Sequence, residues 1–301
     1  MDYSQAKDVF LGPPPDGRPA PRVPTTPARR LRDAAEPIAT VHFWSERTNA
    51  ALADLGLDFL TGYVWSRSAP LGQPAPRVAA AVMGAFEPGL IVGLCEQAQA
   101  AARRDDVLAA REKATVAHLD ELLEGEDVTA AADRLGAAVQ ALAGDVAGRP
   151  LFAGLVAMPA PASPVGKLWH AACTLREYRG DVHQAAAIAA GLSGVQMNLV
   201  TEYWVGWPPT TFAGTRGWSP DDMSAGEADL VARGLVADGG LTDQGQRLRD
   251  GIEEQTDAAM APALAAIDDD LDGLVAQLDG WSATVIAGGA APQDPYKRIS
   301  G

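Results

Sequence analysis

The chain has 301 residues, 47% of them hydrophobic, and a formal net charge of −15. That length predicts about two domains, or one large one, with enough apolar side chain for a real core. It excludes wholesale disorder, a collagen-like repeat and a disulfide-dense scaffold. The charge argues against general coating of DNA or RNA, because such binding draws its affinity from neutralised phosphates.

The first residues, Met1 to Phe10, are polar and lack the apolar stretch of a signal peptide. No run of about 18 apolar residues is long enough to span a bilayer. The chain therefore reads as a cytoplasmic protein with no membrane partner. Residues 1–37 hold eight prolines, seven of them from Pro13 to Pro27, with Arg29, Arg30 and Arg32 following. This composition predicts an extended, mobile arm over residues 1–36.

A helical domain is expected over residues 37–160. Leu52, Leu55, Phe59 and Leu60 fit one helical face, and Val78, Val82, Met83 and Phe86 fit another. Pro88 opens a segment through Ile91, Leu94 and Cys95. Further helices are expected over Val107 to Leu123 and Val128 to Val146. Cys95 and Cys173 lie far apart in apolar helical stretches and read as buried reduced thiols. Pro150, Pro159, Pro161 and Pro164 mark the expected boundary between domains.

The second domain is expected over residues 161–287. Ser163-Pro164 suits a helix start, and Val165 to Tyr178 should follow as one helix. Gly180 is expected to break it, with Asp181 capping the next helix to about Ala190. Val195 to Trp204 is another. Ser219-Pro220-Asp221-Asp222 resembles a capping box and opens a helix to Gly234. Leu235-Val236, the turn Asp238-Gly239-Gly240 and Leu241 read as a minimal hairpin. Thr242 then caps a helix through Leu248 and Ile252. Leu264 to Leu278 makes a last helix, and residues 288–301 read as a tail. The expected fold is mainly α, with a C-terminal winged helix built on that minimal β-hairpin.

Ala228 to Val236, followed by Leu241-Thr-Asp-Gln-Gly-Gln-Arg-Leu248, resembles the recognition helix and wing of the MarR-type winged helix. A wider set of phrases resembles an actinobacterial helix-turn-helix family of largely unknown function. They are Gly62-Tyr63-Val-Trp65-Ser-Arg67, Phe86-Glu-Pro88, Gly148-Arg-Pro-Leu-Phe152, Leu168 to His183 and Thr215-Arg-Gly-Trp218. Tyr178 and Val182 stand where that family's usual phrase carries His and Gly. The resemblance spans about residues 40–285 and implies a regulator-like scaffold.

Phosphate contact is not what this winged helix is equipped for. Its candidate recognition helix carries Asp221, Asp222, Glu227 and Asp229, flanked only by Arg216 and Arg233. The wing tip has no cation. The arginines of the N-terminal arm are the remaining source of DNA affinity.

Two polar clusters carry the candidate chemistry. On a helix, His170, Thr174 and Glu177 share one face, while Trp169, Cys173 and Arg176 form a neighbouring stripe; Asp181 and His183 follow. One reading has Arg176, Glu177, Arg179 and Asp181 pairing among themselves for structure. The other is a pocket floor in which His170 and His183, with Glu177 and Asp181, supply acid–base groups. Trp169, Arg176 and Arg179 would then hold an anionic ligand. Tyr63, Trp65 and Arg67 form the second cluster, suited to gripping a planar or anionic ligand. No metal site or cofactor is expected. There is no phosphate loop, dinucleotide fingerprint, nucleophile elbow or zinc cysteine cluster.

The function expected from these features is small-molecule binding on a MarR-like scaffold without DNA affinity. It extends to a cofactor-independent acid–base enzyme of specialised metabolism. The pocket should be bordered by Arg67, His170 and Arg176. The alternative is a ligand-responsive transcriptional regulator, a homodimer with a positive DNA-facing surface. A third reading, a structural interaction partner, predicts no pocket and a large apolar patch.

Overall fold

The computed structural model describes residues 1–267 and 270–299. The fold is helical, with one two-stranded sheet. In chain order the first helices are α1 (Tyr3–Phe10), α2 (Pro27–Ala39), α3 (Val41–Trp44), α4 (Glu46–Ala53), α5 (Phe59–Ser68), α6 (Pro76–Val82) and α7 (Pro88–Ala101). Then come α8 (Arg104–Leu122), α9 (Thr129–Leu142), α10 (Pro150–Val156) and α11 (Pro164–Ala189). The winged-helix segment comprises α12 (Gly194–Val205), α13 (Thr211–Gly214), α14 (Pro220–Ala232), β1 (Val236–Ala237), β2 (Gly240–Leu241) and α15 (Asp243–Ala259). It is followed by α16 (Ala261–Ala266), α17 (Leu271–Ala287) and α18 (Pro295–Ile299).

Much of the proline content opens helices. α2, α6, α7, α10, α11 and α14 each carry Pro in the first turn, where its missing N–H has no helical partner to lose. The capping signals hold as well. Ser163 caps α11 and Thr242 caps α15, while Ser219 and Asp222 form a reciprocal capping box on α14. The hairpin pairs Val236 with Leu241 and Ala237 with Gly240.

α11 is the spine. Its 26 residues extend about 39 Å and pack on α2, α8, α9, α10 and α15. Gly180 does not break it. A Cβ there would meet only a Glu177 carboxylate oxygen, at 3.8 Å. A mid-helix Gly costs roughly 1 kcal/mol, which the packing on both sides outweighs. Asp181 therefore sits inside the helix and not at its start. Its carboxylate instead accepts from Phe152 N at 3.0 Å, in the first turn of α10.

The largest core joins both sides of the proline-rich stretch at 150–164. Leu31, Ile38, Leu135, Trp169 and Leu278 all belong to it. A second core holds the winged helix through Leu199, Leu230, Leu235 and Ile252. A third gathers Val64, Met83, Phe86 and Ile91. The segment expected to be a mobile arm ends in a packed helix. Arg29 and Arg32 of α2 are buried, at 2% and 8% exposure: Arg29 pairs with Glu253 of α15 as well as Asp33, and Arg32 pairs with Asp33 and Glu36 of its own helix. Upstream, Pro19 O accepts from Tyr296 at 3.2 Å and Arg22 N donates to Val205 O at 3.3 Å. The expected tail also packs: Ala290, Ala291 and Tyr296 are buried.

Where the second and third cores meet, α12 starts against the loop after α6. A Cβ at Gly194 would lie 2.3 Å from Gly84 O, so only glycine permits this approach. Asn198 and Trp218 both donate to Ala85 O, at 2.7 and 2.9 Å. No described helix is long and apolar enough to cross a membrane.

Candidate functional site

The seam between the cores encloses a cavity of about 130 Å³. By the same measure a water needs roughly 10–15 Å³, so the space suits a small molecule. Seven arginines line it: Arg29 and Arg32 from α2, Arg67 from α5, Arg176 and Arg179 from α11, Arg216 after α13, and Arg249 from α15. Among the described residues Glu253 is the one carboxylate on the wall. Tyr63, His183, Gln184, Asn198 and Thr201 add polar groups, and Met83, Phe86, Met197 and Phe212 add apolar surface.

Helical spacing explains the convergence. Arg176, Arg179 and His183 recur at three and four along α11 and so face one way. Arg29 and Arg32 do the same on α2. Such density of cation requires counter-charge, and carboxylates on the wall and behind it supply it. Glu253 pairs with Arg29 at 3.3 Å, with Arg249 at 2.9 Å, and with Arg179. Glu177 pairs with Arg67 at 2.9 Å and Arg176 at 2.7 Å. Glu36 takes Arg176 at 3.2 Å and Arg32 at 3.4 Å. Asp257 takes Arg179 at 2.8 Å, and Asp33 takes Arg29 and Arg32 at 3.0 and 2.9 Å. Burial pushes the carboxyls of Glu177 and Glu253 up, but the guanidiniums around each hold them below the usual range.

Among the described residues, seven arginines against these five carboxylates give the wall a positive excess. Arg216 carries it most clearly. Among the described residues no carboxylate pairs with it. Its guanidinium lies 4.0 Å from the centre of the Phe212 ring and 4.7 Å from that of Phe86. Burial, with Arg67 and Arg176 adding repulsion, lowers its pKa to about 10. Buried Nε atoms of Arg179 and Arg249 also have no hydrogen-bond partner among the described residues.

His183 is the one described imidazole on this wall. Its Nδ1 lies 3.3 Å from Thr256 Oγ1. The Thr256 hydroxyl donates to Ile252 O at 2.7 Å, so the network assigns the imidazole proton to Nδ1 and leaves Nε2 as an acceptor. Burial, reinforced by Arg249, Arg179 and Arg29, keeps this imidazole neutral well below its ordinary range.

The other residues expected in a pocket divide. Tyr63, Arg67, Arg176 and Arg179 reach the wall, and Tyr63 accepts from Arg67 at 3.3 Å. Glu177 stands behind it, 2% exposed, fixing Arg67 and Arg176. Trp65 is fully buried and donates to Ala102 O at 3.0 Å. Trp169 points toward His42, donating to its Nδ1 at 3.4 Å. His170 is outside the lining, its imidazole lowered to about 4 by burial and Arg111. Burial raises Asp181 to about 7, with Glu177 adding repulsion, while its hydrogen bonds serve α10. The expected border of Arg67, His170 and Arg176 is thus corrected to the two arginines with His183. The missed residues are Arg29, Arg32, Arg216 and Arg249. An Arg-x-x-Arg spacing in an alanine-rich helix, repeated at 29/32 and 176/179, was the available signal.

The winged-helix surface is acidic. Asp221, Asp222 and Asp229 of α14 are exposed. Arg233 is drawn to Asp229 at 3.5 Å and donates to Gly191 O at 3.0 Å. Arg216 faces the cavity, and of the arginines before residue 33 that were to contact DNA, Arg29 and Arg32 do too. Arg30 pairs with Asp272 at 2.7 Å. Cys95 and Cys173 are free thiols, both buried.

A family model described as a helix-turn-helix family matches residues 28–292, and the chain belongs to that family. No curated protein and no solved structure matches it.

Proposed function

We propose that this helix-turn-helix family member binds a small organic anion in the arginine-lined cavity and does not use its winged helix to grip DNA. The observation that carries the reading is Arg216, a cation on the cavity wall with no carboxylate partner among the described residues. An anion entering there gains charge-assisted hydrogen bonds and balances the arginine excess. Where the ligand is also turned over, His183 Nε2 is the proton acceptor and no cofactor is required. The test is calorimetric titration with benzoate. Saturable binding that Arg216→Met weakens supports the reading, and absence of binding by the folded protein defeats it.

Membership of a helix-turn-helix family leaves room for DNA interaction, and the second reading we carry is a ligand-responsive regulator acting as a dimer on DNA. Fold alone does not transfer that function. Fluorescence anisotropy with random and genomic DNA, at low and moderate salt, separates the two. Salt-sensitive binding to DNA would restore the regulator.

A further inference from the structure

A second cavity, of about 340 Å³, adjoins the first, and Phe212 and Arg216 line both. Its character is different. Phe10, Trp44 and Trp207 give it aromatic walls, and Pro13 and Pro15 cover it from the N-terminal segment. The other cations there are engaged. Arg18 pairs with Asp294 and lies 4.6 Å from the centre of the Tyr296 ring, and Lys297 donates to Val9 O at 2.7 Å. Among the described residues neither Lys297 nor Arg216 has a carboxylate partner, and of the two only Arg216 stands at the junction, on the wall of both cavities.

An anion confined to the first cavity would leave a larger apolar space beside it unused. From this juxtaposition we propose that the ligand is an amphiphilic acid. Its anionic head sits among the arginines of the first cavity, and its ring-sized apolar body runs along Phe212 into the second. The inference rests on the anion-binding reading above and narrows it to a substrate class. Apolar surface removed from water supplies the affinity of the body, and Arg216 with its two flanking rings sets the register of the head against it.

The experiment is calorimetric titration of the full chain with benzoate, 4-biphenylcarboxylate and uncharged 4-biphenylcarboxamide. Thr211→Trp fills the second cavity from an exposed position on its wall. Val9→Trp does so from α1 and serves where the first variant does not fold. The biphenyl acid is expected to bind roughly tenfold or more tightly than benzoate, the scale of burying a further ring. The filling variant should bring it to benzoate's affinity and leave benzoate unchanged, and the carboxamide should not bind measurably. If benzoate binds while the biphenyl acid gains nothing, the second cavity is not part of the site and the anion reading stands alone. The same holds if filling weakens both acids equally or neither, or if the carboxamide binds as well as the acid. If neither acid binds, the anion reading itself has failed.

Discussion

Replacing Arg216 with Met should stabilise the ligand-free protein while weakening its hold on anions. The guanidinium titrates at about 10 where 12.5 is ordinary. Each unit corresponds to about 1.36 kcal/mol, so the folded surroundings disfavour the cation by at most roughly 3 kcal/mol. The side chain is only half-buried, and solvent screening reduces that to about 1–2 kcal/mol. Met keeps the contact with Phe86 and Phe212 through its polarizable sulfur. The lost cation–π attraction, about 1–2 kcal/mol over the two rings, is comparable to that gain, and the sulfur–aromatic contacts of Met, about 0.3–1.5 kcal/mol each, restore part of it. A net rise of about 1 kcal/mol in unfolding free energy is expected, about 2–4 °C in Tm. A hydrogen bond to a charged group contributes about 1.5–3 kcal/mol, so benzoate affinity should fall roughly ten- to hundredfold. Differential scanning fluorimetry with and without benzoate reads both quantities, since bound ligand raises Tm by mass action. A variant destabilised by more than about 1 kcal/mol with unaltered anion affinity would refute the reasoning and make Arg216 a structural residue.

Glu253→Gln leaves Arg29, Arg179 and Arg249 without their shared carboxylate. It should lower stability by about 3–5 kcal/mol in urea denaturation. Asp181→Asn keeps an acceptor for Phe152 N and removes a buried charge. The folded pKa of Asp181, about 7, lies above its ordinary 3.8, so this group's contribution is full below pH ~4 and is lost as pH rises through ~7. The Asn variant should therefore gain on the parent by roughly 2–3 kcal/mol between pH 5 and pH 8. No gain would place the carboxyl in the ordinary range. His183 is held neutral well below its ordinary range. In the Asp181→Asn background, benzoate affinity should change less than about twofold from pH 8 to pH 6. A strong tightening at pH 6 would mean that an imidazolium joins the site.

The winged helix was legible because its signals are local. Ser219 with Asp222, the Asp238-Gly239 turn and Thr242 each act within a few residues of themselves. Gly180 misled for the opposite reason. Its helix continues because α11 packs along its length on α2, α8, α9, α10 and α15, which lie outside its own stretch of chain, and local propensity loses to that. Arg29 and Arg32 show the same limit. They follow a proline-rich stretch and resemble a solvated arm. Arg29 is held by Glu253, 224 residues distant, whereas Arg32 is paired within its own helix to Asp33 and Glu36. The candidate site was half legible. The α11 and α5 arginines were recognisable by type and spacing, whereas His170 and Trp169 lie on other faces of the same helix and differ from them only in which neighbour they meet.

The same arginines are the ground on which we propose one use of this fold over the other. A winged helix that grips DNA must present cations where its recognition helix and wing meet phosphate. The chain has 24 lysines and arginines, and seven of the arginines line one internal cavity. Arg216 and Arg233 flank α14, yet the first faces inward between two phenylalanines and the second is tied to Asp229 and Gly191 O. Burying guanidiniums is costly even when they are paired, and an apolar repacking of equal volume would stabilise the fold at least as well. A cluster of seven that also leaves one cation without a carboxylate among the described residues is therefore poorly explained by stability alone. Charge removed from the DNA-facing surface and concentrated around a ligand-sized space is what an anion-binding protein on this scaffold requires.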